Sequence, residues 1–130
     1  MIHGTGIDIV DVQRLELAIR RWGEKFVERV FTPEEIKYCS GKANPYNSYA
    51  ARFAAKEAFI KALKSGLPIP LKEIGVMNKG SGQPEIRLYG NAGRLFANMF
   101  HNGRIHLSLS HDRGCSIASV VIEVDDSSNS

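Results

Sequence analysis

The stretch ARFAAKEAFIKALKSG (residues 51–66) decides the fold, because it belongs to the longest helical signal in the chain. That signal begins at Asn44, and Pro68 and Pro70 prevent the helix from continuing beyond Gly66. Alanines and large apolar residues occupy most of the helical circumference. The pattern therefore predicts a helix over 44–66 that is packed on nearly all sides and carries one narrow charged stripe.

The charged stripe consists of Glu57, Lys61 and Lys64, which fall within roughly 60° of one another on a helix. A surface salt bridge between Glu57 and Lys61, four residues apart, is the simplest explanation. The alternative needs a second carboxylate, and Asp8 supplies one near the end of the glycine-bearing strand predicted over 2–10. Two carboxylates with open positions suit Mg²⁺, and Lys61 would then neutralise a phosphate oxygen. Spacing alone does not show that the two acids meet.

The sequence on either side of this helix predicts further helices and antiparallel hairpins. A first helix has an apolar arc, which includes Trp22 and is expected to face the core. Thr32 and Glu35 form a capping box at the start of the next helix. We expect one α+β domain over 1–124 and a flexible polar tail over 125–130. The other predicted elements are the first helix over 11–26, strands over 71–78 and 84–90, a short helix over 91–103, and a hairpin of strands over 104–111 and 115–124.

Composition favours a single cytoplasmic domain. The chain has 130 residues, 43% of them hydrophobic, and a net charge of +3, which fits one domain with its own core. Cys39 and Cys115 are far apart and have no CxxC spacing, which argues against a zinc ribbon or a disulfide scaffold. No apolar run approaches the ~20 residues of a membrane span, and the N-terminus lacks a signal-peptide pattern. We expect a cytoplasmic protein with no membrane partner.

A basic ridge is predicted on the first helix, where Arg14, Arg21 and Lys25 fall within about 40° of one another. A solvated helix face is the simplest explanation. The alternative is a small acidic partner, whose approach the ridge would steer. A nucleic-acid-binding module is disfavoured because the ridge is short and the aromatic residues follow core spacing.

Three segments together resemble a known family: GIDIVDVQRLE (6–16), RFAAKEAFIKAL (52–63) and LSLSHDRGCSIASVVIE (107–123). They resemble the holo-(acyl-carrier-protein) synthases, the short, trimeric branch of the 4′-phosphopantetheinyl transferase superfamily. The resemblance runs over nearly the whole chain, in the family's order and at its length. It implies that family's α+β fold, in which antiparallel strands and hairpins pack against a long central helix and shorter helices.

The resemblance implies a reaction and a metal. Members of the family move the 4′-phosphopantetheine arm of coenzyme A onto a serine hydroxyl of apo acyl carrier protein, release adenosine 3′,5′-bisphosphate and support fatty acid biosynthesis. The family's acids that match Asp8 and Glu57 bind Mg²⁺ at the pyrophosphate, and the lysine that matches Lys61 contacts phosphate. The resemblance also implies a homotrimer with its active sites at subunit interfaces.

Further residues are assigned to the coenzyme. His111 matches a histidine near it, and the turn containing Gly82 and Pro84 resembles the family's Gly-x-Pro loop beside it. The 3′-phosphate of coenzyme A needs a cationic partner, for which we choose Arg52.

Two roles remain open or rest on geometry. Glu57, acting directly or through a water on the metal, is our preferred general base for the serine, and His111 is the rival. The family docks its carrier protein on the first helix through basic residues. Arg14 has the closest match, whereas Arg21 and Lys25 extend that surface by geometry.

Two other functions compete with the transferase. A small Mg²⁺-dependent phosphohydrolase would use Asp8 and Glu57 to cleave coenzyme A-like pyrophosphates with water as the nucleophile. A catalytically silent trimeric subunit of a larger synthase is disfavoured, because Asp8, Glu57 and Lys61 are all present.

Overall fold

In the computed structural model, which describes residues 1–125, five antiparallel strands and five α-helices form an α+β fold. The polar tail predicted over 125–130 lies, apart from Asp125, outside the described residues. A 3₁₀ turn at Leu71–Glu73 precedes the second strand. The elements in chain order are β1 (Ile2–Asp11), α1 (Val12–Trp22), α2 (Glu24–Val30), α3 (Pro33–Ser40), α4 (Pro45–Leu63), β2 (Ile74–Asn78), β3 (Pro84–Leu88), α5 (Gly90–Met99), β4 (Arg104–Asp112) and β5 (Cys115–Glu123).

The strands form a three-stranded sheet in the order β1-β5-β4 and a separate hairpin, β2-β3. In the larger sheet Gly6 lies opposite Val120, and Val120 lies opposite Leu107. Side chains on this face point toward α4, because alternate residues of a strand share a face. The fold class predicted from the sequence is confirmed, and so is the predicted hairpin of β4 and β5.

Glycines in β1 allow the strand to lie directly on α4. A Cβ atom added to Gly4 would overlap the carbonyl oxygen of Ala62, and one added to Gly6 would overlap that of Ala58. Both alanines are fully buried. The glycines of the strand and the alanines of the helix are therefore two halves of one close contact.

We predict that Gly6→Ala costs at least about 3 kcal/mol of stability, because a backbone carbonyl cannot move aside as a flexible side chain can. Gly80→Ala is the matched control, since a Cβ there meets nothing within 4 Å. Urea unfolding measures both changes. Equal midpoints for the two variants would mean that the strand does not rest on the helix.

Helix α4 ends three residues earlier than predicted. Lys64 follows the last helical residue in a left-handed conformation (φ 58°), and its N–H donates to the carbonyl of Ile60. The helix is nevertheless packed on nearly all sides, as expected. Within residues 1–125, no helix is both long enough and apolar enough to cross a membrane.

The prediction of one continuous first helix over 11–26 is wrong. Gly23 (φ 68°, ψ −150°) separates α1 from α2, and its N–H donates to the carbonyl of Ile19. Trp22 was expected in the core but is 61% exposed, because the chain leaves the helix directly after it. Leu15 is the residue of α1 that is buried.

Three boundaries near the small hairpin also differ from prediction. The strand expected over 84–90 ends at Leu88. The strand expected over 71–78 begins only at Ile74, after the 3₁₀ turn. The helix expected over 91–103 spans Gly90–Met99 instead. A carboxylate oxygen of Glu73 accepts a hydrogen bond from the N–H of Ala92 at 2.8 Å, so a side chain distant in sequence fixes the start of α5.

A buried ion pair joins α3 to α4. The capping box is present as predicted, with Oε1 of Glu35 accepting from the Thr32 N–H at 2.8 Å. The same oxygen lies 2.7 Å from Nζ of Lys56, and both side chains are fully buried. Lys56 also donates to the carbonyl of Ile74, and Oε2 of Glu35 accepts from the Val76 N–H. Burial lowers the pKa of Lys56, whereas Glu35 opposes that shift.

Candidate active site

Asp8, Glu57 and Lys61 come together where β1 crosses α4; we call these three residues the carboxylate cluster. Nζ of Lys61 donates to Oδ1 of Asp8 and to the carbonyl of Ile7, each at 2.9 Å. A salt bridge between Glu57 and Lys61 was the simplest explanation of the sequence. In the structure, Lys61 instead forms a salt bridge with Asp8. The lysine therefore orients the carboxylate on the strand.

The electrostatics of Glu57 show that the two acids sense each other. Burial raises the pKa of Glu57, the charge of Asp8 raises it further, and Lys61 opposes the shift. A pair of like charges beside one cation fits a divalent ion with oxygen ligands. Within residues 1–125, no group of three or more His, Cys, Asp or Glu side chains could hold a metal. A magnesium ion here would thus take two protein carboxylates and complete its shell with water and phosphate oxygens.

The local sequence explains this geometry. Asp8 lies two residues beyond Gly6, on the face of β1 that is turned toward α4. Glu57 and Lys61 are one helical turn apart and share a side of α4. Because Gly6 lets the strand rest on Ala58, the strand carboxylate reaches the polar edge of the helix.

We predict that Glu57→Gln stabilises the metal-free protein at pH 8, because it removes a charge that burial and Asp8 disfavour. A carboxyl whose folded-state pKa is raised contributes stability below its unfolded pKa, and the contribution is lost as pH rises through the folded pKa. The variant should unfold about 1–3 °C above wild type in EDTA. Calorimetry should show this gain disappearing toward pH ~4, where wild-type Glu57 is itself protonated. A variant that melts below wild type at pH 8 would contradict this account.

A cavity of about 790 Å³ lies between α3, the N-terminal half of α4, the β2–β3 turn and β4. Of the five residues assigned to coenzyme A, four line it: Arg52, Gly82, Pro84 and His111. The fifth, Lys61, does not. None of the carboxylate cluster belongs to its lining. The predicted site residues thus form two groups on one chain, the cluster and the cavity wall.

Arg52 is the most unusual residue of the cavity wall. It is only 5% exposed, and within residues 1–125 its guanidinium forms one hydrogen bond, a long one of 3.5 Å from Nη1 to the carbonyl of Ser48. Its Nε atom is buried and has no hydrogen-bond partner within residues 1–125. A buried cation with an unused donor fits an anionic ligand.

His111 is held by a neighbouring strand. Its Nδ1 atom lies 3.1 Å from Oγ of Ser116, a fully buried residue directly opposite it in the β4–β5 ladder. This contact fixes the ring and leaves Nε2 for a ligand or a proton.

The face of the sheet turned away from α4 carries exposed aliphatic side chains on β1. Ile7 and Ile9 of β1 are 61% and 63% exposed, and they lie opposite Ser119 and Ile117 of β5. Large exposed aliphatic side chains next to one another mark an interaction surface. Alternate residues of β1 therefore point to opposite faces of the sheet. Asp8 of the carboxylate cluster lies on one face, and Ile7 and Ile9 lie on the other.

The predicted basic ridge is only partly continuous. Arg14 and Arg21 are exposed on α1, but Lys25 lies on α2, so the helical spacing that aligned all three does not apply. Leu17 was not predicted as part of this surface. It is 60% exposed and lies at helical spacing from both arginines. Its place on a mixed basic and apolar face was the available signal.

Comparison with known proteins identifies the family of this chain. Residues 4–118 match the model of the 4′-phosphopantetheinyl transferase superfamily. A holo-(acyl-carrier-protein) synthase of Geobacter sp. strain M21 is 47% identical over 125 residues, which cover 95% of this chain and 99% of that protein.

Solved structures show the same fold. The holo-(acyl-carrier-protein) synthase of Neisseria meningitidis has a TM-score of 0.87 and 34% identity, covering 95% of this chain and 99% of that one. The synthase of Bacillus anthracis, solved in complex with CoA (3′,5′-ADP), has a TM-score of 0.78 and 32% identity, covering 96% and 99%. The chain therefore belongs to the 4′-phosphopantetheinyl transferase superfamily, as an enzyme of its holo-(acyl-carrier-protein) synthase family.

Proposed function

We propose that this enzyme transfers the 4′-phosphopantetheine arm of coenzyme A to a serine hydroxyl of apo acyl carrier protein and releases adenosine 3′,5′-bisphosphate, in support of fatty acid biosynthesis. The carboxylate cluster carries the proposal, because a strand acid, a helix acid and a lysine meet at one exposed edge. Transfer at a pyrophosphate requires positioning and charge neutralisation more than covalent help from the protein.

Asp8 and Glu57 would hold a Mg²⁺ ion. When bound, the ion supplies positive charge against the pyrophosphate oxygens and the leaving bisphosphate. Lys61 uses two of its three N–H donors on Asp8 and the Ile7 carbonyl, which leaves one for a phosphate oxygen. The lysine thus positions a ligand carboxylate and contacts the substrate at once.

The acceptor serine must lose a proton as its oxygen attacks the β-phosphorus. Glu57 is the proposed base, because its half-buried position beside Asp8 raises its pKa and so its basicity. His111 is the second candidate, because its Nε2 atom forms no hydrogen bond within residues 1–125.

The cavity is the proposed binding site for the rest of coenzyme A. Gly82 and Pro84 of the β2–β3 turn, His111 of β4 and Arg52 of α4 all line it. Arg52 is the proposed partner of the 3′-phosphate. A synthase of the same family is known in complex with this coenzyme.

The active enzyme is proposed to be a homotrimer with its sites at subunit interfaces. This would bring the carboxylate cluster of one chain to the cavity wall of the next, and it would cover Ile7 and Ile9. Sedimentation equilibrium should then give three times the chain mass of 14.4 kDa. A monomer with full activity would remove this part of the proposal.

The carrier protein is proposed to dock on α1 through Arg14 and Arg21, with Lys25 nearby on α2. We predict that Arg14→Glu raises KM for the carrier about tenfold and leaves KM for coenzyme A unchanged, because rim charges act mainly on association. Lys72→Glu, the same charge reversal at an exposed site outside α1 and α2, is the control. Steady-state kinetics at two ionic strengths measures both. Equal effects of the two variants would exclude α1 as the docking face.

The proposed function is tested by incubating the protein with Mg²⁺, coenzyme A and apo acyl carrier protein and weighing the carrier by mass spectrometry. A gain of one phosphopantetheine group that EDTA abolishes is the expected result. Cleavage of coenzyme A with an unmodified carrier would instead support the phosphohydrolase. No consumption with several carriers would exclude both activities.

A further inference from the structure

Arg52 needs something to hold its guanidinium in place, because its own hydrogen bonds do not. The long contact to Ser48 and the unused Nε leave the group poorly fixed from the polar side. Within residues 1–125 Arg52 forms no ion pair, and the charge of Lys56 on the same helix repels it. A buried cation in this situation is unfavourable unless the surroundings and a ligand compensate it.

The ring of Tyr38 supplies the missing support. Cζ of Arg52 lies 4.3 Å from the centre of that ring, within the range of a cation–π contact. The phenol oxygen of Tyr38 accepts a hydrogen bond from Nδ2 of Asn78 at 3.0 Å. Tyr38 is thus anchored to the end of β2 while its face lies against the guanidinium. All three residues line the cavity.

The wall around Tyr38 has an excess of positive charge. Nζ of Lys42 lies 4.5 Å from the same ring. Burial alone would raise the pKa of Tyr38, but Lys42 and Arg52 lower it below its ordinary value. The carboxylate that lines the cavity, Glu85, is already paired with Lys79 and Arg87. Within residues 1–125, neither of the two cations beside Tyr38 forms an ion pair with a carboxylate.

The chemistry of coenzyme A indicates which anion would bind these two cations. The coenzyme carries a pyrophosphate and a separate phosphate on its ribose 3′-oxygen. The pyrophosphate is already assigned to the carboxylate cluster, which is outside the cavity lining. The isolated phosphate is the dianion that remains, and an arginine fork matches its oxygens.

We propose that Tyr38 is a positioning residue that holds Arg52 for the 3′-phosphate and so makes the enzyme prefer coenzyme A over 3′-dephospho-coenzyme A. This inference rests on the proposed transfer from coenzyme A. Tyr38 does not touch the reacting atoms. It acts through the orientation of Arg52, and its aromatic face carries the effect rather than its hydroxyl group.

The test compares kcat and KM for both donors in wild type, Tyr38→Ala, Tyr38→Leu and Tyr38→Phe. Wild type should prefer coenzyme A. Alanine and leucine should each raise KM for coenzyme A about tenfold with little change in kcat or in KM for the dephospho donor, so the preference falls by the same factor. Phenylalanine keeps the ring and should keep most of the preference. Leucine retains apolar volume, which separates the loss of the aromatic face from a packing defect.

Three results would overturn the inference while leaving the transferase intact: a wild type that uses both donors equally, an alanine variant that keeps the preference, or a loss of activity that is equal for the two donors. If the phenylalanine variant is as impaired as the alanine variant, the hydroxyl group and not the aromatic face is responsible. That result would also contradict the inference. Failure of the proposed function is distinct, because wild type would then modify the carrier with neither donor.

Discussion

Phosphopantetheine transfer is expected to fall about 10³-fold when Glu57 is replaced by alanine, and to a similar extent in Asp8→Asn. Glu57→Ala removes a carboxylate ligand of the proposed Mg²⁺ site together with the proposed base, and Asp8→Asn replaces the other carboxylate with a neutral amide. The loss should appear in kcat, because charge stabilisation on the leaving bisphosphate acts in the transition state. The rate of carrier modification, followed by mass spectrometry under saturating coenzyme A, measures it.

Glu28→Ala is the matched control, since Glu28 is an exposed carboxylate on α2. It should retain wild-type rates. The Asp8→Asn, Glu57→Ala double variant should be hardly slower than either single one, because two ligands of one ion act as a unit. Additive losses, or a Glu57→Ala enzyme within about tenfold of wild type, would show that the two acids do not share a catalytic ion.

The carboxylate cluster could be predicted from the sequence only as a set of candidates. Asp8 and Glu57 stood out because each is a lone acid in an apolar setting, but helical spacing pairs Lys61 with Glu57. The pairing with Asp8 arises from the contact of Gly6 with Ala58, a tertiary fact that no local pattern contains. The prediction that the two acids meet came from the resemblance to the family and not from the spacing of the residues.

The sequence pattern predicted wrong helix boundaries where a single residue interrupts the helical periodicity. Gly23 divides a segment whose apolar arc continues on both sides, so the arc predicted one helix and placed Trp22 in the core. Lys64 ends α4 in a conformation that usually selects glycine, which hid the true boundary. By contrast, the capping box of Thr32 and Glu35 is a short-range hydrogen-bonding pattern and was predicted correctly.

Lys56 shows why burial of a charge is hard to foresee. It is adjacent to Glu57 in sequence, and a lysine there is ordinarily a surface residue. Its burial depends on Glu35, twenty-one residues away, and on carbonyl groups at the start of β2. Glu35 was predicted to close a capping box, and nothing local indicated that its carboxylate would also neutralise a lysine on another helix.

The largest expected effect on stability follows from this pair. We predict that Lys56→Met lowers the free energy of unfolding by about 3–5 kcal/mol, because it leaves the Glu35 carboxylate buried without its counter-charge. Glu35→Gln should cost a similar amount by leaving the Lys56 ammonium with carbonyl partners alone. Chemical denaturation of both proteins, with the Lys56→Met, Glu35→Gln double variant, gives the coupling energy. The double variant should be more stable than either single one, since methionine and glutamine carry no charge into the core.

The pH dependence of the Glu35→Gln protein separates loss of charge pairing from loss of packing. Burial already lowers the pKa of Lys56 and Glu35 opposes that shift, so the substitution should lower the pKa further. A group whose folded-state pKa is depressed contributes stability above its unfolded pKa, and the contribution is lost as pH falls through the folded pKa. The deficit of the variant relative to wild type should therefore narrow between neutral pH and ~10, as the lysine in the folded variant loses its proton. If the loss of stability in Glu35→Gln does not change with pH, it comes from packing around Glu35 and not from the charge pair. If the free energy of unfolding of Lys56→Met lies within about 1 kcal/mol of the wild-type value, the pair does not hold α3 against α4.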